Sequence, residues 1–476
     1  MKPLLIDGEW VATADATPNV NPSDVDDVID DFAEAGPAET DRAIAAAVAA
    51  ADGWARTSPL ERATILRKAA DAVAARKEEL GRLLSREEGK TLSEGIGEAG
   101  RAAQILDFFA GEAIRLHGET IDSIRPGIEI DVTREPVGVV GLITPWNFPL
   151  AIPAWKIAPA IAFGNAVVFK PAELVPASAF ALVEILHRAG VPRGVLNLLT
   201  GKGSVVGQAM LEDPRIDAIS FTGSAATGTR VAEACARHMR RFQLEMGGKN
   251  PLVVLDDADL PVAVECAVKG AFFSTGQRCT ASSRLVVTEG VHNRFVEAVV
   301  ERLRTLRVDD ALKPGTDIGP VVDERQLAQD LDYVALGRRE GANLRFGGER
   351  LNRERTGFYM QPALFTDTHN GMRINREEIF GPVASVIRVR SYEEALAVAN
   401  DTTFGLTAGI CTTSLKHASH FRRNAKAGMV MVNLPTAGVD FHVPFGGRKG
   451  SSFGPREQGS YARDFYTLVK TAYTRP

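Results

Sequence analysis

From Val137 onward, short apolar runs rich in β-branched residues alternate with longer segments whose apolar positions fall at helical spacing. VGVVGLIT, NAVVFK, VLNLL and AISFTG read as strands. Residues 150–163, ASAFALVEILHRAG, SVVGQAML and residues 227–237 read as the helices between them. This alternation predicts a parallel sheet with right-handed crossovers. It is the pattern of a dinucleotide-binding unit, although the G-x-G-x-x-G fingerprint is missing. A second αβ block starts near Asn250, with SRLVVT as a strand and residues 293–306 as a helix. EEIFGPVASVIRV and GMVMVNL supply later strands, residues 444–459 are glycine-rich, and residues 462–473 read as extended.

Upstream, residues 1–36 form a strand-rich leader with turns at Asp7-Gly8 and Asn21-Pro22. Helices then dominate. One covers residues 40–54, and a second opens on Ser58-Pro59-Leu60-Glu61, a capping box with proline at the first helical position. A third runs over residues 92–116. Residues 119–136 are polar and turn-punctuated. A hairpin at 128–133 presents unpaired backbone edges, so the stretch is either an arm that pairs with another chain or a surface connection.

At 476 residues the chain divides into two or more domains. Hydrophobic residues make up 45% and charged residues 24%, as in an ordinary soluble protein. A net charge of −5 argues against a basic nucleic-acid surface. The window 149–169 is the most apolar, but it carries Lys156, Asn165 and three prolines, which argues against a membrane span. MKPLLIDGEW lacks a basic region followed by an apolar run, so no signal peptide is expected. Four cysteines at 235, 266, 279 and 411 form no C-x-x-C pair, and H-E-x-x-H is absent. No metal site is expected, and a reduced, cytoplasmic setting fits.

The chemistry gathers on residues 272–284, FFSTGQRCTASSR. Cys279 follows a glycine and two phenylalanines and precedes small hydroxyl residues, a setting that suits a thiolate nucleophile; a small buried hydrophobe is the alternative. Five further stretches carry candidate chemistry, four of them where strands end. Asn147 in Pro145-Trp146-Asn147-Phe148-Pro149 either aims its amide at an oxyanion or satisfies its own turn. Lys170 and Glu173 in KPAE bracket an adenosine ribose or lie in a solvated loop. Phe221-Thr222-Gly223-Ser224, with Gly228, offers a helix N-terminus to a pyrophosphate, or Ser224 is an ordinary cap. Glu245 in EMGGK is a general base above a glycine turn, or one more surface glutamate. Glu378 and Phe380 in EEIFGP, on an extended segment, point the same way and hold a ribose and a nicotinamide, or simply start a strand.

Together and in this order, PWNFP, KPAE, FTGS with Gly228, EMGGK, GQRC, EEIFGP and PFGGRKGS closely resemble the aldehyde dehydrogenase superfamily over nearly the whole chain. The resemblance implies an α/β fold with a Rossmann-type cofactor domain, an α/β catalytic domain and a β oligomerisation arm. Its boundaries fall at 1–118 with 137–248 for the NAD(P)-binding domain, 249–442 for the catalytic domain, 119–136 with 460–476 for the arm, and 443–459 as a return segment. It implies oxidation of an aldehyde to a carboxylic acid through a thiohemiacetal and a thioester on Cys279. Asn147 and the Cys279 N–H hold the oxyanion, Glu245 activates water, and Lys156 with Glu457 matches a proton path. Cofactor positions fall at Ile143, Thr144, Pro145, Trp146, Lys170, Glu173, Gly203, Gly207, Phe221, Gly223, Ser224, Glu378 and Phe380. The cofactor expected is NAD, since Glu173 repels a 2′-phosphate, with NADP as the alternative. Substrate positions fall at Phe148, Trp155, Phe273, Arg278, Thr280 and Phe445. A homodimer or homotetramer is implied, with no nucleic-acid or membrane partner.

Below that level, GQRCTASSR, IPAWKIAP and GRKGSSFGPREQG are most similar to α-ketoglutaric semialdehyde (2,5-dioxopentanoate) dehydrogenases. Succinic semialdehyde dehydrogenase is the nearest rival, but Trp155 and Phe273 stand where that family usually places its two carboxylate-binding arginines. Arg278 either takes that role or pairs with a structural carboxylate. Glutaric semialdehyde or a broad range of aliphatic aldehydes are further alternatives. A CoA-acylating enzyme typically lacks the base at Glu245, and a cofactor-free cysteine hydrolase has no use for KPAE or EEIFGP.

Overall fold

Alternate residues of each central strand enter different hydrophobic cores, as the two-residue period of a strand requires. In the computed structural model, which describes residues 1–476, Val140, Leu142, Val167 and Phe169 pack into one core. Their neighbours Val139, Ala166 and Val168 pack into another on the opposite face. Leu252, Leu285 and Val287 divide from Val253 and Val286 in the same way in the second half of the chain. A sheet buried on both faces is the parallel arrangement that the near-continuous apolar runs predict.

The first sheet has eight strands in the order Ser452–Phe453, Arg241–Glu245, Ala218–Thr222, Val139–Ile143, Ala166–Lys170, Leu196–Leu198, Leu4–Ile6, Glu9–Val11. The five from Arg241–Glu245 to Leu196–Leu198 are parallel; the outer ones pair antiparallel. The chain steps outward from Val139–Ile143 to one side, then returns to lay Ala218–Thr222 on the other. The order therefore reverses between these two neighbours, which opens a crevice at their carboxyl ends. The second sheet runs Asn343–Phe346, Ala363–Thr368, Val383–Val389, Arg284–Thr288, Pro251–Val254, Thr407–Cys411, Met429–Val432, and only its first pair is antiparallel. The hairpin Glu119–Asp122/Glu129–Pro136 adds Thr467–Thr474 as a third strand along the full length of Glu129–Pro136. Ala16–Asn21 pairs with Asp24–Ala33.

Several local expectations needed correction. Residues 129–133 are not a hairpin with unpaired edges but part of one strand paired on both sides. Ser58 caps the helix Pro59–Ala75 by accepting from the Leu60 N–H at 3.3 Å, and Glu61 does not close a capping box. The helix expected over 92–116 ends earlier, as Leu92–Ala113. SVVGQAML begins with a π-helical turn, Gly203–Gly207, before the short helix Gln208–Glu212. Residues 462–466 are helical turns rather than extended chain. No helix is long and apolar enough to cross a membrane.

Candidate active site

The crevice at the strand reversal faces the amino ends of the second sheet. Into it come the loop before Arg284–Thr288, which carries Cys279, and the segment before Val383–Val389, which carries Glu378 and Phe380. A cavity of about 330 Å³ is lined there by Pro145, Trp146, Asn147, Gly223, Glu245 and Cys279, with Ser224, Glu378 and Phe380 also on its wall. Side chains separated by more than two hundred residues thus share one cavity.

The Cys279 loop is bent by force. Ser274 and Thr275 lie at φ +50° and +55°, and Gly276 follows at +66°. A Cβ on Gly276 would sit 2.2 Å from the Gly381 carbonyl oxygen, so the loop can pass there only as glycine. Cys279 is half-buried, whereas Cys235, Cys266 and Cys411 are buried, and all four are free thiols. Burial, followed by the charges of Glu378 and Glu245, pushes the Cys279 thiol up to about 12. Its own N–H and that of Thr280 pull the other way. The sulfur is therefore a protonated thiol unless positive charge or a base reaches it.

Asn147 does not close its own turn. Its Nδ2 donates to the Gln277 carbonyl at 3.0 Å, two residues before Cys279, which leaves its second N–H for another acceptor. Glu245 ends its strand and accepts from Ser452 Oγ at 2.5 Å. Burial first, then the charge of Glu457, holds its carboxyl well above the usual range. Lys156 lies outside the cavity wall, fully buried, donating to Ser220 Oγ at 2.6 Å and to Glu457. One Glu457 carboxylate oxygen has no partner.

Glu378 accepts from the Gly248 N–H at 2.8 Å, and burial pushes it up to about 7. Phe380 packs edge-on to Trp146, with centroids 5.3 Å apart. The expected reason for their shared direction does not hold: Phe380 sits at φ +65°, so the segment is not a regular strand. The glycine turn expected beneath Glu245 also has a different cause. Neither Gly247 nor Gly248 has positive φ. A Cβ on Gly247 would fall 1.9 Å from the Glu378 carboxylate, so close approach demands glycine there.

Further along the carboxyl ends, Lys170, Glu173, Gly203 and Gly207 form a separate cluster that does not line the Cys279 cavity. Glu173 accepts from the Gly203 N–H at 2.5 Å and lies 3.9 Å from Lys170 Nζ, whose burial pushes it down to about 8. A Cβ on Gly203 or Gly207 would meet only the ends of these two side chains, at 3.6–4.0 Å, so an open cradle lies above them. Ser224 caps the helix Ala225–Arg237 through the Thr227 N–H. Phe221 and Ile143 pack on the core behind the wall, and a Cβ on Gly223 would strike the Phe221 ring. Thr144 is buried with its hydroxyl unpartnered, as is Thr222. A carboxylate and an amine at an open cradle, a helix N-terminus and a second carboxylate beside an aromatic fit a dinucleotide along this edge.

A second cavity of about 480 Å³ shares only Trp155, Cys279 and Phe445 with the first. Phe148, Phe273 and Thr280 line it, and the rings of Trp155 and Phe445 tilt together at 5.5 Å. Arg278 lines it too, but its guanidinium is taken: Nη2 donates to Glu94 at 2.9 Å and to Ser274 Oγ at 2.6 Å. Sequence reasoning passed over Ser452, Glu94 and Arg101. Ser452 lies inside GRKGSSFGPREQG, where nothing marks one serine from the next, while Glu94 and Arg101 look like any charges on an amphipathic helix.

The model of the Aldehyde dehydrogenase family matches residues 10–472. The chain belongs to that family and is an oxidoreductase acting on aldehydes. It is 43% identical over 475 residues to the α-ketoglutaric semialdehyde dehydrogenase of Bacillus subtilis, covering 99% of this chain and 97% of that one. It is also 43% identical to the α-ketoglutarate semialdehyde dehydrogenase of Haloferax volcanii, covering 98% of each. The crystal structure of betaine aldehyde dehydrogenase from Staphylococcus aureus in complex with NAD+ superposes with a TM-score of 0.97 at 34% identity, covering 100% of this chain and 94% of that one.

Proposed function

We propose that the protein oxidises α-ketoglutaric semialdehyde to 2-oxoglutarate with NAD+. The observation that carries this reading is a cation without an ion-pair partner on the 480 Å³ cavity: Arg101 lines it unpaired, while Lys90, Lys269 and Arg278 are paired with Glu98, Glu265 and Glu94. An unpaired cation beside an apolar passage suits an unbranched aldehyde ending in a carboxylate and opposes a quaternary ammonium. The names of the two relatives at 43% identity support the same substrate.

In this reading Cys279 attacks the aldehyde carbon, and the oxyanion is held by the Cys279 N–H and the free N–H of Asn147. Bound along the sheet edge by Lys170, Glu173, Ser224, Glu378 and Phe380, NAD+ supplies the hydride acceptor. Glu245 then takes a proton from the water that hydrolyses the Cys279 thioester. Ser452 orients that carboxylate, and Lys156 with Glu457 offers a buried route for the proton behind it.

The sheets support the division into a cofactor domain, a catalytic domain and an oligomerisation arm. The first sheet draws on residues 4–11 and 139–245, the second on 251–432, and the small sheet on 119–136 with 467–474. Residues 452–453 bring the return segment to the edge of the first sheet. The small sheet leaves Val469 and Tyr473 exposed, which supports assembly of two or four copies through it, and the four free thiols support a reducing, cytoplasmic setting.

The test of the substrate is kcat/KM for α-ketoglutaric, glutaric and succinic semialdehydes beside pentanal. Preference for the five-carbon acids is expected. Equal or better turnover of pentanal overturns the carboxylate reading, and preference for succinic semialdehyde replaces it with the four-carbon acid.

A further inference from the structure

Arg101 stands on the helix Leu92–Ala113 and lines the 480 Å³ cavity but not the 330 Å³ one. It thus belongs to the lining that this cavity does not share with the first, the shared residues being Trp155, Cys279 and Phe445. The four cations of this cavity differ in what they hold. Lys90 Nζ donates to Glu98 at 2.7 Å and to the Asn147 carbonyl at 2.6 Å. Lys269 pairs with Glu265 at 3.4 Å. Arg278 is fixed by Glu94 at 2.9 Å. Arg101 alone makes no hydrogen bond and no ion pair.

Its carboxylate neighbours do not supply one. Glu98 spends one oxygen on the N–H groups of Leu150 and Ala151 and the other on Lys90. Asp440 is near enough to act on Arg101 by charge, yet it is exposed and forms no contact with it. Burial draws Arg101 below the usual arginine range, against the pull of these two carboxylates. A half-buried guanidinium with five unspent donors has a planar fork that matches a carboxylate at two points.

We propose that Arg101 is the residue that recognises the substrate's terminal carboxylate, holding it while the aldehyde end reaches Cys279. This rests on the reading that the substrate carries a carboxylate. Arg278, the sequence candidate for the role, instead shapes the wall through Glu94.

The experiment compares Arg101→Met and Arg101→Lys with the unaltered enzyme, measuring kcat/KM for glutaric semialdehyde and pentanal at saturating NAD+, and inhibition by glutarate. A charge-assisted contact implies a loss of about ten- to hundredfold on glutaric semialdehyde in Arg101→Met, with pentanal changed by less than about twofold. Weakening of glutarate by a similar factor, and partial recovery in Arg101→Lys, are also expected. Equal loss on both aldehydes, or no loss on glutaric semialdehyde, overturns the assignment. If the unaltered enzyme itself shows no preference for glutaric semialdehyde over pentanal, the substrate reading falls and the inference with it. If it keeps that preference in Arg101→Met, only the role of Arg101 falls.

Discussion

Asn147 Nδ2 donates to the Gln277 carbonyl at 3.0 Å, tying the loop after the central strand of the first sheet to the loop that carries Cys279. One hydrogen bond thus fixes the proposed oxyanion donor relative to the proposed nucleophile. Asn147→Ala removes both, and kcat should fall by about 10²–10³-fold, the usual loss for one oxyanion donor. Binding of NAD+, followed by fluorescence titration, should change little. A kcat within about threefold of the unaltered enzyme would contradict the oxyanion role.

In the proposed mechanism Glu245 and Cys279 both act deprotonated, and burial raises both above their ordinary values. The sign follows directly: activity is lost as pH falls and grows as pH rises through the neutral and alkaline range. Glu245→Gln should bind NAD+ and transfer hydride in a single turnover, then stall, so that a burst of NADH precedes a slow steady state. Normal steady-state turnover in that variant would remove Glu245 from deacylation.

In the proposed reading Glu173 sets the cofactor preference. A carboxylate about 4 Å from a 2′-phosphate costs on the order of 1–4 kcal/mol, depending on the local dielectric. NAD+ should therefore exceed NADP+ by at least several-fold in kcat/KM at saturating aldehyde, and Glu173→Gln should narrow the gap. Because Glu173 bonds only the exposed Gly203 N–H and lies near Lys170, it is free to swing aside, so NADP+ should retain measurable activity. A preference for NADP+ would refute the assignment.

Gly247→Ala tests Glu378 without touching it. The added Cβ would lie 1.9 Å from the carboxylate, which must leave the Gly248 N–H. The KM for NAD+ should rise by roughly tenfold, the value of one charged hydrogen bond, while alkylation of Cys279 by iodoacetamide proceeds. An unchanged KM would separate Glu378 from cofactor binding.

The first sheet was legible because its strands are buried on both faces and so read as apolar runs; Val139–Ile143 and Ala166–Lys170 fall where the pattern puts them. The second half was less so. The helices Leu260–Ala271, Glu324–Arg339 and Tyr392–Asn400 passed unread, although Asp259, Asp323 and Ser391 cap their first turns and Pro261 opens the first of them. In the site, residues inside strand-end motifs could be read from sequence, because short loops after parallel strands leave few places for them. The reasons for the glycines, the bond from Ser452 to Glu245 and the open guanidinium of Arg101 could not. They depend on distances between segments remote in sequence.

The central claim, that Cys279 forms the covalent intermediate, is tested most directly by intact and peptide mass analysis of Glu245→Gln after mixing with NAD+ and glutaric semialdehyde. The account predicts one acyl adduct, on the peptide containing Cys279, with none in the Cys279→Ala/Glu245→Gln double variant. An adduct on Cys235, Cys266 or Cys411, or dehydrogenase turnover that survives in Cys279→Ala, would contradict it.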